Sequence, residues 1–211
     1  MTAQAITIAI TDGVPADQIG RGAASLLGFR YVNDEIISRA AQRVGVTPEE
    51  VADVERSKSL MEQILAALGR AGGVLDETGM GAEALPPMAD ESPAYREMIR
   101  QVIWETGKTG QVVIGAHGAG IHLASMNGVL RVLLTGTPEA RAARLASDHQ
   151  IGLDQARKQV DRGDRARASY LKRFYGINRE LPTHYDLVLN LDGLPVPAAV
   201  EAITRTAQRI S

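Results

Sequence analysis

The chain has 211 residues, 45% hydrophobic and 23% charged, which suits a packed core and not a disordered tail. It has no cysteine, excluding a disulfide scaffold, a thiolate metal centre and a cysteine nucleophile. The net charge of -2 argues against the broad basic surface of a nucleic-acid binder, and no apolar run is long enough to span a bilayer. Met1-Thr2-Ala3-Gln4 lacks the basic start of a signal peptide, so a cytoplasmic protein is expected.

Ala5 to Ile10 is apolar and β-branched and stops at Thr11-Asp12-Gly13, the pattern of a buried strand. Ile19 to Leu27 predicts a helix closed by Gly28, and Asp34 to Val44 a second one with Ile36, Ile37, Ala40 and Val44 on one face. Thr47-Pro48-Glu49-Glu50 combines a cap, a first-turn proline and a capping box. Leu60 to Leu68 reads as helical; Gly69 to Asp90, rich in Gly, Pro, Met and acids, predicts a mobile or lid-like loop. For Leu75, Met80, Leu85 and Met88 two readings stand: packing in a homo-oligomer, or simple loop disorder. Ser92-Pro93 begins a helix expected to end at Gly107. Strands follow at Gln111–Ile114 and Leu130–Leu134, the latter leading to the helix cap Thr137-Pro138-Glu139. Helices then run to about Phe174, a last strand covers Tyr185 to Asn190, and a terminal helix covers Val196 to Ile210.

Apolar strands alternating with amphipathic helices imply an α/β fold, a parallel sheet of about five strands covered on both faces. Ligands of such sheets bind at the carboxyl ends of the strands, where Gly13 and the Gly115–Gly120 loop lie.

From Arg157 to Arg173 the local charge is +5, leaving the rest of the chain at -7. A compact basic helix in an acidic chain suits a polyanionic small ligand, since guanidinium groups bind phosphate oxygens in pairs. The competing reading is a solvated face laced with Asp–Arg pairs at three- and four-residue spacing. Gly107-Lys108-Thr109 has the ending of a phosphate-loop motif, but Val102 stands where its first glycine belongs, and the tripeptide precedes a strand instead of following one. The stretch after the first strand, Thr11 to Gly20, keeps only Gly13 and Gly20 and has no lysine. By pattern alone it is an ordinary strand-to-helix turn. His117 and His122 lack acidic or cysteine companions at ligand spacing, so no metal site is expected. The Gly115–Gly120 loop does not match a dinucleotide fingerprint and reads as a tight turn with close backbone packing; Tyr170, Phe174 and Tyr175 read as core.

In order and spacing the chain resembles the cytidylate kinase-like family, nucleoside monophosphate kinases with the P-loop fold. The resemblance is carried by Ile6-Thr7-Ile8, Leu27-Gly28-Phe29-Arg30-Tyr31 with Glu35-Ile36-Ile37, Val112-Val113-Ile114-Gly115 and Arg131-Val132-Leu133-Leu134. Asp164-x-x-Arg167-x-x-Tyr170, Tyr175-Gly176 and Tyr185 to Asn190 complete it. It implies one P-loop kinase-like domain over 1–211, with a helical monophosphate-binding region at 34–106 and a lid-like region at 150–184. It further implies phosphoryl transfer from ATP, with Mg²⁺, to a nucleoside monophosphate. The partner would be a small-molecule nucleotide, not nucleic acid or a membrane. Arg167 and Arg165 would stabilise the phosphoryl group, Asp164 would orient Arg167 or the base, and Arg39 would hold the acceptor phosphate. Gly13, Gly20 and Gly115 would lie against the nucleotide.

The departures fall on the phosphate loop. Where the family reads Gly-Ser-Gly-Gly-Arg, this chain has Gly13-Val14-Pro15-Ala16-Asp17. Pro15 lacks an N–H, Val14 and Ala16 resist positive φ, and Asp17 places a carboxylate where a cation is expected. One unit charge pair at 4 Å is worth about 4 kcal/mol at an effective dielectric near 20, so the exchange costs up to several kcal/mol. The family's Gly-Arg is Gly115-Ala116 here, and its second-strand aspartate aligns with Asn33. A nucleotide kinase with impaired activity is therefore one expectation. The alternative is a catalytically inactive nucleotide-sensing or protein-interaction module.

Overall fold

Ala5–Ala9 (β1), buried along its whole length, is the centre strand of the sheet. In the computed structural model the described residues are 3–33, 93–115 and 118–210. Over these, β2 (Arg30–Val32), β3 (Val112–Ile114), β4 (Val129–Thr135) and β5 (Leu187–Asn190) join β1 in the order β2-β3-β1-β4-β5. Every pairing is parallel: Ala5 sits opposite Val112 on one side and Val129 on the other, and Leu133 sits opposite Val188. The helices are α1 (Ala16–Leu27), α2 (Pro93–Thr109), α3 (Ala119–His122), α4 (Pro138–His149), α5 (Leu153–Tyr175) and α6 (Val196–Ala207). Residues 1–36 with 100–211 form one compact unit and 37–99 another. The helices expected at 34–44 and 60–68, the capping box at Thr47, the loop 69–90 and Arg39 lie outside the described residues.

The two faces of β1 bury different partners. Ile6 and Ile8, with Leu130, Val132 and Leu134, pack on Ile19 and Ala23 of α1 and on Ala199 and Ile203 of α6. Each of the isoleucine, leucine and valine side chains taken from water is worth about 1.5–3 kcal/mol. Thr7 points the other way and meets Gly120, where a Cβ would lie 2.8 Å from its hydroxyl oxygen. A smaller cluster of Ala142, Ala156 and Val160 joins α4 to α5. The chain leaves β1 towards β2, whereas after β3 it crosses over to β4. This reversal opens the crevice at the carboxyl ends of β1 and β3.

Three features differ from the sequence reading. Arg30–Val32 is a strand of only three residues whose burial rises from exposed to buried, too short for a periodicity signal. Helix α2 runs past Gly107 to Thr109, before Gly110 at φ +68°. Gly107 instead gives room to Leu123, whose Cδ1 would lie 2.9 Å from a Cβ there. Helix α1 begins at Ala16, so Gly20 belongs to the helix and not to the loop before it. The cap at Thr137 is as expected: its side chain accepts from the Ala140 amide at 3.3 Å, with Pro138 in the first turn. Among the described residues no helix is long and apolar enough to cross a membrane.

Candidate functional site

The loop from Ile10 to Pro15 leaves the carboxyl end of β1 as two consecutive tight turns. The Val14 amide donates to the Thr11 carbonyl at 3.3 Å, and Gly13 takes φ +78°. That is a β-turn with glycine at its third position, where a type II turn needs positive φ. The Ala16 amide then donates to the Val14 carbonyl at 2.8 Å around Pro15, at φ -79° and ψ 54°. These angles are those of an inverse γ-turn. Successive amides that converge on an anion make a phosphate nest. Here the Val14 and Ala16 amides are spent inside the loop and Pro15 has none. The loop also carries no lysine or arginine. These residues do not fit the triphosphate cradle that the resemblance implies.

Two guanidinium groups close on the loop's carbonyls. Arg141 of α4, 6% exposed at its side chain, donates from Nε to the Gly136 carbonyl at 3.2 Å and from NH1 to the Asp12 carbonyl at 3.2 Å. Its NH1 and NH2 also fork onto Asp164 of α5 at 2.8 and 2.5 Å. Arg167 of α5, 14% exposed, donates from NH1 to the Ile10 carbonyl at 3.1 Å. Its Nε and NH2 fork onto Glu180 at 2.8 and 2.6 Å, and NH2 reaches the Tyr185 hydroxyl at 3.4 Å. The Tyr185 hydroxyl in turn donates to Glu180. A guanidinium has five N–H donors, so each arginine keeps at most one for any other acceptor. Glycines permit this closeness: a Cβ on Gly13 would lie 2.4 Å from the Arg141 carbonyl oxygen, and one on Gly163 2.0 Å from Asp12 Oδ2.

The electrostatics follow the contacts. Burial pushes the Glu180 carboxyl up, but the Arg167 fork and charge, with the Tyr185 hydroxyl and nearby His184, hold it below the ordinary value. Burial likewise works against the Arg167 cation, and the Glu180 bonds and charge outweigh it. The Tyr185 hydroxyl is pushed well up, first by burial and then by its bond to Glu180.

A second network lies on the first turn of α1. Asp17 Oδ1 accepts from the Tyr31 hydroxyl at 2.6 Å and from Asn33 Nδ2 at 3.0 Å, with Arg21 3.8 Å from Oδ2. Tyr31 reaches it because Gly20 and Gly115 make room on either side. A Cβ on Gly20 would lie 2.4 Å from the Tyr31 ring and one on Gly115 2.5 Å from its hydroxyl. Both glycines are thus used for packing Tyr31.

Of the residues singled out by sequence, the structure brings together Gly13, Asp164 and Arg167. Asp164 meets Arg141, and the expectation was that it would orient Arg167 or the base. Arg165 stands apart, 78% exposed and paired with Asp161, as Arg157 is with Asp154. Arg39, Ala116 and His117 lie outside the described residues. Tyr170 and Tyr175 meet edge to face at 5.9 Å, Arg100 lies 5.7 Å over the Tyr175 ring, and Gly118 packs under that ring. Among the described residues no group of three or more potential ligands could hold a metal ion. Arg141 and Glu180 were not anticipated. Arg141 looks like one basic residue on a capped surface helix, and Glu180 is a lone acid in a coil.

A family model described as the cytidylate kinase-like family matches residues 5–193. A cytidylate kinase from Ignicoccus hospitalis is 28% identical over 153 residues, covering 71% of this chain and 88% of that protein. Among solved structures, an uncharacterized protein from Eubacterium ventriosum superposes with a TM-score of 0.67 at 13% identity, covering 96% of this chain and 97% of that one. Shikimate kinase from Bacteroides thetaiotaomicron gives 0.53 at 17% identity, with coverage of 96% and 97%. A gluconokinase from Sinorhizobium meliloti gives 0.51 at 10% identity, with coverage of 98% and 94%. These structural likenesses speak for the kinase fold, in agreement with the all-parallel sheet and its strand order. With the family model spanning nearly the whole sequence, the chain belongs to the cytidylate kinase-like family.

Proposed function

We propose that this chain is a cytidylate kinase-like protein whose phosphoryl transfer from ATP to a nucleoside monophosphate is strongly impaired. One observation carries the reading: two amides of the loop and both buried arginines beside it are already committed. The loop amides at 14 and 16 bond within the loop, and Arg141 and Arg167 fork onto Asp164 and Glu180. Phosphoryl transfer depends on positioning and on charge stabilisation, with little covalent chemistry from the protein. Losing the cradle therefore weakens the reaction itself. In this reading residues 150–184 correspond to the family's lid and 34–106 to its monophosphate-binding region. Arg167 is the phosphate-facing cation and Arg39 the acceptor-binding one. Mg²⁺ with ATP is needed only so far as activity survives.

The test is transfer from Mg-ATP to CMP, UMP and AMP at high enzyme concentration, beside an active cytidylate kinase. The expected kcat/KM is at least a thousandfold lower, the equivalent of about 4 kcal/mol. A rate within tenfold of the reference overturns impairment.

The second reading is a module that binds a nucleotide or a protein and catalyses nothing. It is favoured by Asp17, whose carboxylate is held by Tyr31 and Asn33 at the helix end where ATP phosphates belong. Thermal unfolding separates the two. A ligand at 100 times its Kd stabilises by about 2.7 kcal/mol, a shift of roughly 5–10 °C for this size. A shift with a monophosphate but not with ATP supports the sensor; flat curves for all support the interaction module.

A further inference from the structure

We propose that Glu180 is a specificity-determining residue of this site. Its carboxylate occupies the edge of Arg167 that a phosphoryl group would bind, so an anion enters only by displacing it. The inference rests on the reading above, in which this end of the sheet faces phosphate.

A carboxylate and a phosphoryl group present the same two-oxygen edge to a guanidinium fork. Glu180 takes that edge fully, with Oε2 at 2.8 Å from Nε and Oε1 at 2.6 Å from NH2. Arg167 also holds the Ile10 carbonyl and the Tyr185 hydroxyl, leaving at most one N–H. One donor cannot grip a phosphoryl group in the two-point manner that makes arginine effective there. The guanidinium is held at the end of β1, so it is already placed where the loop would deliver a ligand.

Glu180 is itself held in place. The Tyr185 hydroxyl donates to it, and one 3₁₀ turn, Pro182–His184, joins the two residues. The Leu181 amide bonds to His184 Nδ1 at 3.3 Å across that turn, and the Tyr185 amide bonds to the Pro182 carbonyl at 3.1 Å. Such a preorganised internal carboxylate competes at high effective concentration against a diffusing anion. A diphosphate, with two charge centres and more acceptor oxygens, is the chemistry best able to displace it; a monocarboxylate is the least able.

The experiment titrates wild type, E180Q and E180Q/R167K with inorganic pyrophosphate by calorimetry at low ionic strength. E180Q should bind at least tenfold more tightly than wild type, and the double variant should lose that gain. Equal affinity for wild type and E180Q overturns the proposal, as does undetectable binding by both, or a gain that survives R167K. Should E180Q fail to fold, Y185F takes its place, since it removes the donor that steadies Glu180 while keeping the ring. A gain of about threefold is then expected, and none overturns the proposal. Phosphoryl transfer is read separately. Full transfer by wild type overturns impairment, whereas the pyrophosphate titration alone decides the role of Glu180.

Discussion

Position 13 tolerates only glycine, for two independent reasons. Its φ is +78°, and a Cβ would stand 2.4 Å from the Arg141 carbonyl oxygen, a backbone atom with little freedom to retreat. Gly13→Ala should lower stability by about 3 kcal/mol, roughly 6–12 °C in Tm, measured by thermal unfolding. The arginines separate just as clearly. Arg165→Ala removes an exposed pair with Asp161 and should change stability by no more than about 0.5 kcal/mol. Arg141→Ala leaves Asp164 and the carbonyls of Asp12 and Gly136 without their donor, and should cost about 2–4 kcal/mol by chemical denaturation.

At the scale of elements, the β1–α1 connection closes on itself through backbone hydrogen bonds. Its two turns are each closed by a backbone hydrogen bond of their own. Replacing Val14 with serine, Pro15 and Ala16 with glycine, Asp17 and Ala116 with arginine, and Asn33 with aspartate restores the family pattern. The result should be Mg-ATP binding with a shift of roughly 5–10 °C in Tm. No shift would mean that these positions do not limit ATP binding. The same element marks how far the sequence could be read. Strands β1, β3, β4 and β5 announced themselves as β-branched apolar runs between turn residues. The three-residue β2 and the single-turn α3, inside a glycine-rich stretch, had too few residues for any period. Gly13, Asp164 and Arg167 were found because the resemblance covers them. The partners of Asp164 and Arg167 were not, because Arg141 and Glu180 meet them only through tertiary packing, 23 and 13 residues away in sequence.

For the whole molecule, the same ion pairs make stability depend on acid. Glu180 and Asp186 hold their protons more weakly in the folded chain than in the unfolded one, Asp186 chiefly through its side-chain bond to Arg131. Their contribution is complete above the unfolded values, near 4.5 and 3.8, and is lost as pH falls below them. Denaturation midpoints should therefore drop below about pH 4.5, and E180Q should flatten part of that drop. A drop of equal depth in E180Q would place the acid sensitivity elsewhere.

The bond between Asp17 and Asn33 has a consequence for the chain's history. Changing Asp17 to arginine alone removes the acceptor shared by Tyr31 and Asn33; changing Asn33 to aspartate alone sets two carboxylates side by side. Each single step should lower stability, while both together should rebuild an opposite-charge pair. The two costs should thus fail to add by more than about 0.5 kcal/mol in a double-mutant cycle. On the proposed reading, reversal by single substitutions would cross a less stable intermediate, so the pair at 17 and 33 would work as a ratchet.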